Sequence, residues 1–387
     1  MNKTGSDNSN DGFYVQDSAQ VTLINSKVSG NEDCGLEVWN SARVNLQDSE
    51  ISGNGHDGLH VENSAQVTLI NSKVSGNGIE GLYLSNHARV SLQDSTVSGN
   101  GDDGLSVWDS AQLELTDSWI SDNAGCGIRK GGDATVTGRG NWVSYNAQDF
   151  CDFSPPPGFL RESPPQPLVD RAEVCPEGCP FSTIQEAIIM TRPGGTVYIH
   201  EGVYLGGIAF AKDLTLEGEG MEKTILTGSR WDGLSIGGEA VVAIRNLQVS
   251  GNDIEGLHVR DSARVSLQDS QVSGNGEDGL WVEDSARVSL QDSTVSGNGD
   301  DGLSVGDSAR VAVEGSLIEG NGRYGIFVTG EAHVELTSTT IRNNTHWGIG
   351  AYLRKCGFYE DKFWGTVLWQ GRGNRIYGNG MGDVCLP

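Results

Sequence analysis

The sequence predicts an all-β protein built as two right-handed parallel β-helices. Three observations carry this. Glycines followed by an apolar residue fall at 12, 35, 58, 81, 104 and 127, and again at 233, 256, 279, 302, 325 and 348, each step within a series being 23 residues. Apolar alternation inside each repeat comes in runs too short for a helix. The stretch "DSTVSGNGDDGLSV" stands unchanged at 94–107 and at 292–305. A fixed period of this size marks a solenoid whose repeats stack on their neighbours, and the identical stretch is one rung kept in both blocks as the chain grew by copying. "QVTLINSKVSGN" at 20–31 and 66–77 is a copy within the first block.

One rung reads "ARVSLQDSTVSGNGDDGLSVWDS". Val90/Leu92, Ser95/Val97 and Leu105/Val107 mark three short strands, each closed by Gly, Asn or Asp. Strands that recur every rung stack in register, about 4.8 Å apart, and parallel crossovers favour the right-handed coil. Asn31, Asn54, Asn77 and Asn100 share one turn position, as do Asn252, Asn275, Asn298 and Asn321. A stacked amide donates to the amide on one side and accepts from the other, so these positions are expected to form structural ladders. Ser49, Ser72, Ser95 and Ser118 form a second file.

The expected organisation is a first β-helix over 1–153, about six rungs with a C-terminal cap, a Pro-rich linker over 154–169, and a second β-helix of about eight rungs over 170–387. The linker contains "SPPPGFLRESPPQP", which cannot pair into a sheet. An N-terminal cap is expected over about 170–228 and a C-terminal cap over about 350–387. The first of these holds a short helix, with Ser182 as N-cap, Gln185 completing a capping box, and Ile184, Ala187 and Ile188 as its apolar face. A helix there covers open strand edges. "TVYIH" and "LTLEGEG" read as the first strands beyond it. "GRGN" at 138–141 and 371–374 reads as the start of each C-terminal cap. The first block begins in mid-rung at Met1, which implies either a shortened gene or an uncapped end suited to docking on another molecule.

A formal net charge of −26 disfavours nucleic acid and anionic membrane surfaces as partners. It favours cations or neutral sugars. No run of about 18 apolar residues is present to span a membrane, and "MNKTGSDNSNDGF" has no apolar core of a signal peptide. The seven cysteines bear on the compartment. Cys126 and Cys151 flank the end of the first block, Cys356 and Cys385 the end of the second, and Cys175 and Cys179 sit in "VCPEGCPF", while Cys34 lies inside a rung. The first six are expected as three disulfides, which places the chain at the cell surface, outside the cell or in a periplasm; buried thiols in a cytosolic protein are the alternative. No CxxC accompanies them, and four Met with seven scattered His suggest no soft-ligand cluster, so no metal site is expected.

In the strand after each Gly, the second and fourth residues point outward. This set holds Tyr14, Trp39, His60, Tyr83 and Trp108 in the first block and His258, Trp281, Phe327 and Tyr352 in the second. Such a file is a candidate glycan platform, because sugar rings stack on aromatic faces; cross-strand packing that stiffens the sheet is the alternative. Gly306 replaces Trp108 in the matching rung, which speaks for the alternative. Asp102–Asp103 could pass for a catalytic acid pair, but Glu32–Asp33, Glu277–Asp278 and Asp300–Asp301 repeat it, and a glycosidase needs one pair around one bond. The repeated acids read as solvated turns. Ca²⁺ would relieve their repulsion, although His56 and Ile79 interrupt the file and no motif specifies the ion.

The run "FSTIQEAI…GGTVYIHEGVYLGGI…LTLEGEG" resembles the N-terminal region of bacterial secreted proteins of the pectin lyase-like superfamily. The "N-x-G-x-GL" rungs are similar to its parallel β-helix repeats, including carbohydrate-binding and sugar-hydrolase type domains and NosD-like periplasmic proteins. The resemblance spans nearly the whole chain and implies fold rather than reaction, since the superfamily includes pectate lyases, pectin methylesterases, polygalacturonases and alginate epimerases. The epimerases' "DPH" and the polygalacturonases' "GHG" and "NTD" are absent. "GIRK" at 127–130 is similar to the latter's "RIK" but lacks its partner motifs. The expected function is therefore a non-catalytic secreted or surface solenoid that binds polysaccharide or serves a structural or adhesive role. The alternative is a polysaccharide lyase, glycoside hydrolase or uronate epimerase.

Overall fold

The structure, a computed structural model, describes residues 4–161 and 168–387; part of the expected linker, 162–167, lies outside them. The chain divides into two compact units, 1–168 with 207–211 and 169–206 with 212–387. Residues up to 161 form three parallel sheets of seven, seven and six strands, and residues 169–387 three more of nine, eight and eight. Each sheet takes every third strand in order through the regular rungs, so the three strands of a rung each stack on the same strand of the next. The register is in step: Arg89 faces Gln66 and Gln112, and Leu82 faces Leu59 and Leu105.

Alternation dictates what fills the coil. Val90 and Leu92, Val97, and Leu105 and Val107 are buried from the three strands of one rung. Between strands, Asp and Asn take the left-handed conformation that other side chains resist. Asn40, Asn63 and Asn86 (φ 64, 62 and 60°) hold one corner, and Asp48, Asn71 and Asp94 (φ 51, 46 and 49°) another.

The amide files are continuous. Asn31 Nδ2 donates to Asn54 Oδ1 at 2.7 Å, and the same bond links Asn54 to Asn77, Asn77 to Asn100, Asn100 to Asn123 and Asn123 to Asn146. In the second unit it runs from Asn252 through Asn275, Asn298, Asn321 and Asn344 to Asn379. Each Oδ1 also accepts the backbone N–H of the preceding asparagine. The files dictate the periodic glycines: a Cβ at Gly81 would stand 2.8 Å from Asn100 Nδ2 and 2.5 Å from the Gly104 carbonyl oxygen. Ser49, Ser72, Ser95 and Ser118 form a parallel file, each hydroxyl accepting the N–H of the serine before it.

Three expectations need correction. The helix, Ile184–Met190, is capped by Thr183 rather than Ser182, and the Thr183 hydroxyl accepts the Glu186 N–H. Its buried face is Ile184, Ala187, Ile188 and Ile189, and the buried Lys212 ammonium closes its far end on the Ile188 carbonyl at 2.6 Å. "TVYIH" is not the first strand, because Val169–Val174 precedes the helix and pairs with Thr191–Ile199. "GRGN" is not a cap but a rung turn. Asn141 and Asn374 enter the serine file, accepting the N–H of Ser118 at 3.0 Å and of Thr339 at 2.9 Å, and strands Trp142–Ser144 and Arg375–Tyr377 follow.

Candidate functional site

The outward aromatic positions fall on one sheet in each unit. Tyr14 is 56% exposed; Trp39, His60, Tyr83 and Trp108 are half-buried. Trp39 stacks on His60 (centroids 5.9 Å apart) and His60 on Tyr83 (4.7 Å), while Trp39 Nε1 donates to Glu37 at 3.0 Å. The Trp108 ring lies where a side chain on Gly131 would stand. In the second unit His258 stacks on Trp281 at 4.4 Å, and Phe327 and Tyr352 cluster with Tyr324 and Phe358. The rings thus turn their faces to the neighbouring rung. A sugar laid along the file would meet mostly ring edges.

Beside these files runs a line of acids, at the position just before the periodic Gly in most rungs: Asp11, Asp57, Glu80 and Asp103 in the first unit, Asp232, Glu255, Asp278 and Asp301 in the second. The strand register shows that the equivalent of Asp103 in the second rung is Cys34, so Glu32–Asp33 is one residue out of step with Asp102–Asp103. Nor is the line solvated: Asp57, Asp103, Glu255 and Asp301 are buried. Three of these, and Asp278, take a structural hydrogen bond. Asp57 accepts the Glu80 N–H at 3.2 Å, Asp103 the Cys126 N–H at 2.7 Å, Asp278 the Asp301 N–H at 2.8 Å and Asp301 the Tyr324 N–H at 2.9 Å. Burial, then the Asp278 charge, pushes Asp301 up to about 8; burial, with the charges of Asp300 and Glu277, pushes Asp278 to about 6. Burial and a hydrogen bond to Asp57 hold the Glu80 carboxyl well above the carboxylate range, and Asp232 does the same to Glu255.

Acids in hydrogen-bond contact leave no room for a glycosidic bond between them, which calls for a separation of roughly 5 Å or more. Arg129 of "GIRK" is likewise committed, its Nη2 3.1 Å from Asp103, whose other oxygen accepts from Ser106 at 2.7 Å. His60 lies 2.9 Å from Asp57 and 3.3 Å from Glu62, and His258 2.9 Å from Glu283. Burial works against the imidazolium of each. The hydrogen bonds to Asp57 and Glu62, and to Asp232 and Glu283, outweigh it and raise both residues above the usual imidazole range.

The residues that the sequence analysis missed are basic. Arg264, Arg287 and Arg310 face one another on consecutive strands, followed by His333. All three arginines are exposed and line a groove with Ser266, Ser289, Ala312, His333 and Glu335, the last paired with Arg372. Among the described residues none of the three has a side-chain partner. Guanidinium groups one rung apart repel by about 0.9 kcal/mol in water, in a chain with ample carboxylates to neutralise them. The first unit differs: Gln20, Arg43, Gln66, Arg89 and Gln112 alternate there. The signal was "ARVSL" recurring at 263 and 286, with "ARVAV" at 309.

Cys126–Cys151, Cys175–Cys179 and Cys356–Cys385 are disulfides, with Cα atoms 6.0, 5.5 and 5.8 Å apart, and Cys34 is free and buried. Among the described residues no helix is long and apolar enough to cross a membrane.

A family model described as "Right handed beta helix region" matches residues 4–153 and 232–382. No curated protein matches the chain in sequence. Solved structures similar to it include pectin methylesterase PemA from Erwinia chrysanthemi, at 13% identity and TM-score 0.31, covering 47% of this chain and 70% of that one. Pectate lyase Pel9A has 12% identity and TM-score 0.38, with 56% and 78% covered. The periplasmic alginate epimerase AlgG has 9% identity and TM-score 0.34, with 90% and 78% covered.

Proposed function

We propose, for a chain that belongs to the right-handed β-helix family, a polysaccharide-binding role without catalysis, with an acidic polysaccharide as the ligand. The observation that carries this is the unpaired ladder of Arg264, Arg287 and Arg310 along one groove. Three like charges held in line at rung spacing have no purpose in folding, since each repels the next. A polymer with repeating carboxylate or sulfate groups turns the repulsion into attraction, and guanidinium forks suit both anions. The net charge of −26 argues against anionic partners only as a sum; a groove answers to the charges that line it. That sum still repels a long nucleic acid, which carries charge over a wider front than one ladder covers.

The absence of catalysis rests on the acids. Asp57, Asp103, Asp278 and Asp301 each accept a backbone N–H of the next rung, and Glu80 and Glu255 are hydrogen-bonded to Asp57 and Asp232. The three disulfides support an oxidising compartment, periplasmic or extracellular. A panel of polygalacturonate, alginate, dextran and duplex DNA, each assayed for binding and for chain cleavage or epimerisation, tests the proposal. Binding of the acidic glycans with no change in the polymer is expected. Product formation would favour the enzyme alternative, and preference for dextran would favour the aromatic file, where Tyr14 is well exposed.

A further inference from the structure

Between Asp11 and Asp103 the line of acids is interrupted once, by Cys34. This side chain sits where the rungs on either side carry Asp11 and Asp57, is 3% exposed, and forms no disulfide. One rung on are Asp57 and His60. One ligand atom from each of the three residues lies within 4.8 Å of the other two. They are a thiol sulfur, a carboxylate oxygen and an imidazole nitrogen, which together form a donor set matched to a borderline-soft divalent cation.

We propose that Cys34, Asp57 and His60 bind a zinc ion. His60 Nδ1 and Asp57 Oδ2 are 2.9 Å apart. Tetrahedral bonds of about 2.0–2.1 Å place two such ligands about 3.3 Å apart, so the pair opens by only a few tenths of an ångström. His60 Nε2 lies 3.3 Å from Glu62 Oε1. That carboxylate holds the proton on Nε2 and leaves Nδ1 as the ligating nitrogen, the outer-shell arrangement that zinc-bound histidines use. Asp11 and Asp33 each place an oxygen within 4.8 Å of Cys34 Sγ, and either one, or water, fills the fourth position. Loading balances as Zn²⁺ plus the Cys34 thiol giving a zinc–sulfur bond and one proton released to solvent, with a second released from Nδ1 when His60 starts as the imidazolium.

The second unit supplies a control within the same chain. Asp232, Glu255, His258 and Arg260 stand at the positions of Cys34, Asp57, His60 and Glu62. The thiol is gone there, and although Arg260 takes the place of Glu62, the outer carboxylate on His258 Nε2 is supplied by Glu283 at 2.9 Å, so the missing thiol is the difference that matters. The function proposed above does not depend on this site, since the arginine ladder lies in the other unit.

The experiment is a titration of the full chain, disulfides intact and no thiol added, with Co²⁺ followed by absorbance and with Zn²⁺ followed by calorimetry. Wild type and His258→Ala are expected to take up one ion and to show a near-ultraviolet thiolate-to-cobalt band that zinc abolishes. Cys34→Ser is expected to lose the band, and Cys34→Ser and His60→Gln each to weaken zinc at least tenfold, with circular dichroism confirming the fold. Glu62→Gln, outside the ligand set, should weaken zinc by about tenfold and serves as the readout if Cys34→Ser fails to fold. Cobalt uptake without a thiolate band, or zinc affinity unchanged in His60→Gln and Glu62→Gln, would overturn the proposal.

Discussion

Asn77 Nδ2 donates to Asn100 Oδ1 at 2.9 Å, and both side chains are buried. Asn77 Oδ1 meanwhile accepts from the backbone N–H and the side chain of Asn54. One residue thus satisfies polar groups on both sides of its rung. Asn77→Ala strands these partners, and each buried orphan costs about 1–3 kcal/mol. The variant is expected to lose about 3 kcal/mol or more, read as a lower midpoint in urea denaturation. Loss of less than 1 kcal/mol would mean that water replaces the ladder.

Gly81→Ala tests the same ladder from its neighbour. The added methyl meets the Gly104 carbonyl oxygen at 2.5 Å, backbone that cannot swing aside. Destabilisation of about 2–3 kcal/mol is expected, as for overpacked cores. Gly297→Ala is the comparison. Nothing stands within 4 Å of a Cβ there, and its φ of 65° alone penalises alanine, by about 1 kcal/mol. Equal losses would remove the ladder as the reason for the 23-residue glycine period.

Burial and the Asp278 charge raise Asp301 to about 8, against an ordinary value near 4. A carboxyl whose pKa is higher in the folded chain takes up its proton on folding. Stability is then greatest below about pH 4 and falls as pH rises to about 8. Asp301→Asn retains the oxygen that accepts the Tyr324 N–H and cannot ionise. Its melting temperature is expected to exceed that of wild type at pH 9 and to vary less between pH 5 and 9. Parallel pH profiles would show that Asp301 is ionised in the folded chain.

The aromatic file offers edges where sugar stacking needs faces. Replacing Trp39, Tyr83 and Trp108 together by alanine should therefore act mainly on stability. Stacked pairs contribute about 0.5–1.5 kcal/mol beyond their buried area, and Trp108 also covers Gly131. A loss of roughly 2–4 kcal/mol is expected, with polysaccharide affinity within twofold of wild type by calorimetry. A tenfold drop in affinity for dextran, with the fold intact, would restore the file as a glycan platform.

Rungs, ladders of asparagine and the three disulfides were legible because a 23-residue period carries every equivalent position to the same place. The errors arose where equivalence was judged by residue type. Matching acid pairs set Glu32–Asp33 beside Asp102–Asp103, whereas counting back from Gly35 and Gly104 sets Cys34 beside Asp103 and brings it to Asp57 and His60. Alternation told which side Trp39, His60 and Tyr83 face, but ring torsions decide whether they present faces or edges. "VDRAEV" at 169–174 has too few apolar residues to announce a strand and is held by its pairing with Thr191–Ile199. Arg264, Arg287 and Arg310 stand openly in the period, yet a summed charge of −26 hides them.

The most direct test of acidic-polysaccharide binding without catalysis is calorimetric titration of polygalacturonate into wild type and into Arg264→Gln/Arg287→Gln/Arg310→Gln, at 50 and 200 mM salt, with the polymer analysed afterwards. Wild type is expected to bind at low salt and to weaken at high salt, as screening of paired charges requires. The triple variant should bind at least tenfold more weakly with little salt dependence, and the polymer should be recovered intact. Equal binding by the two proteins, or a cleaved or epimerised polymer, would contradict the account.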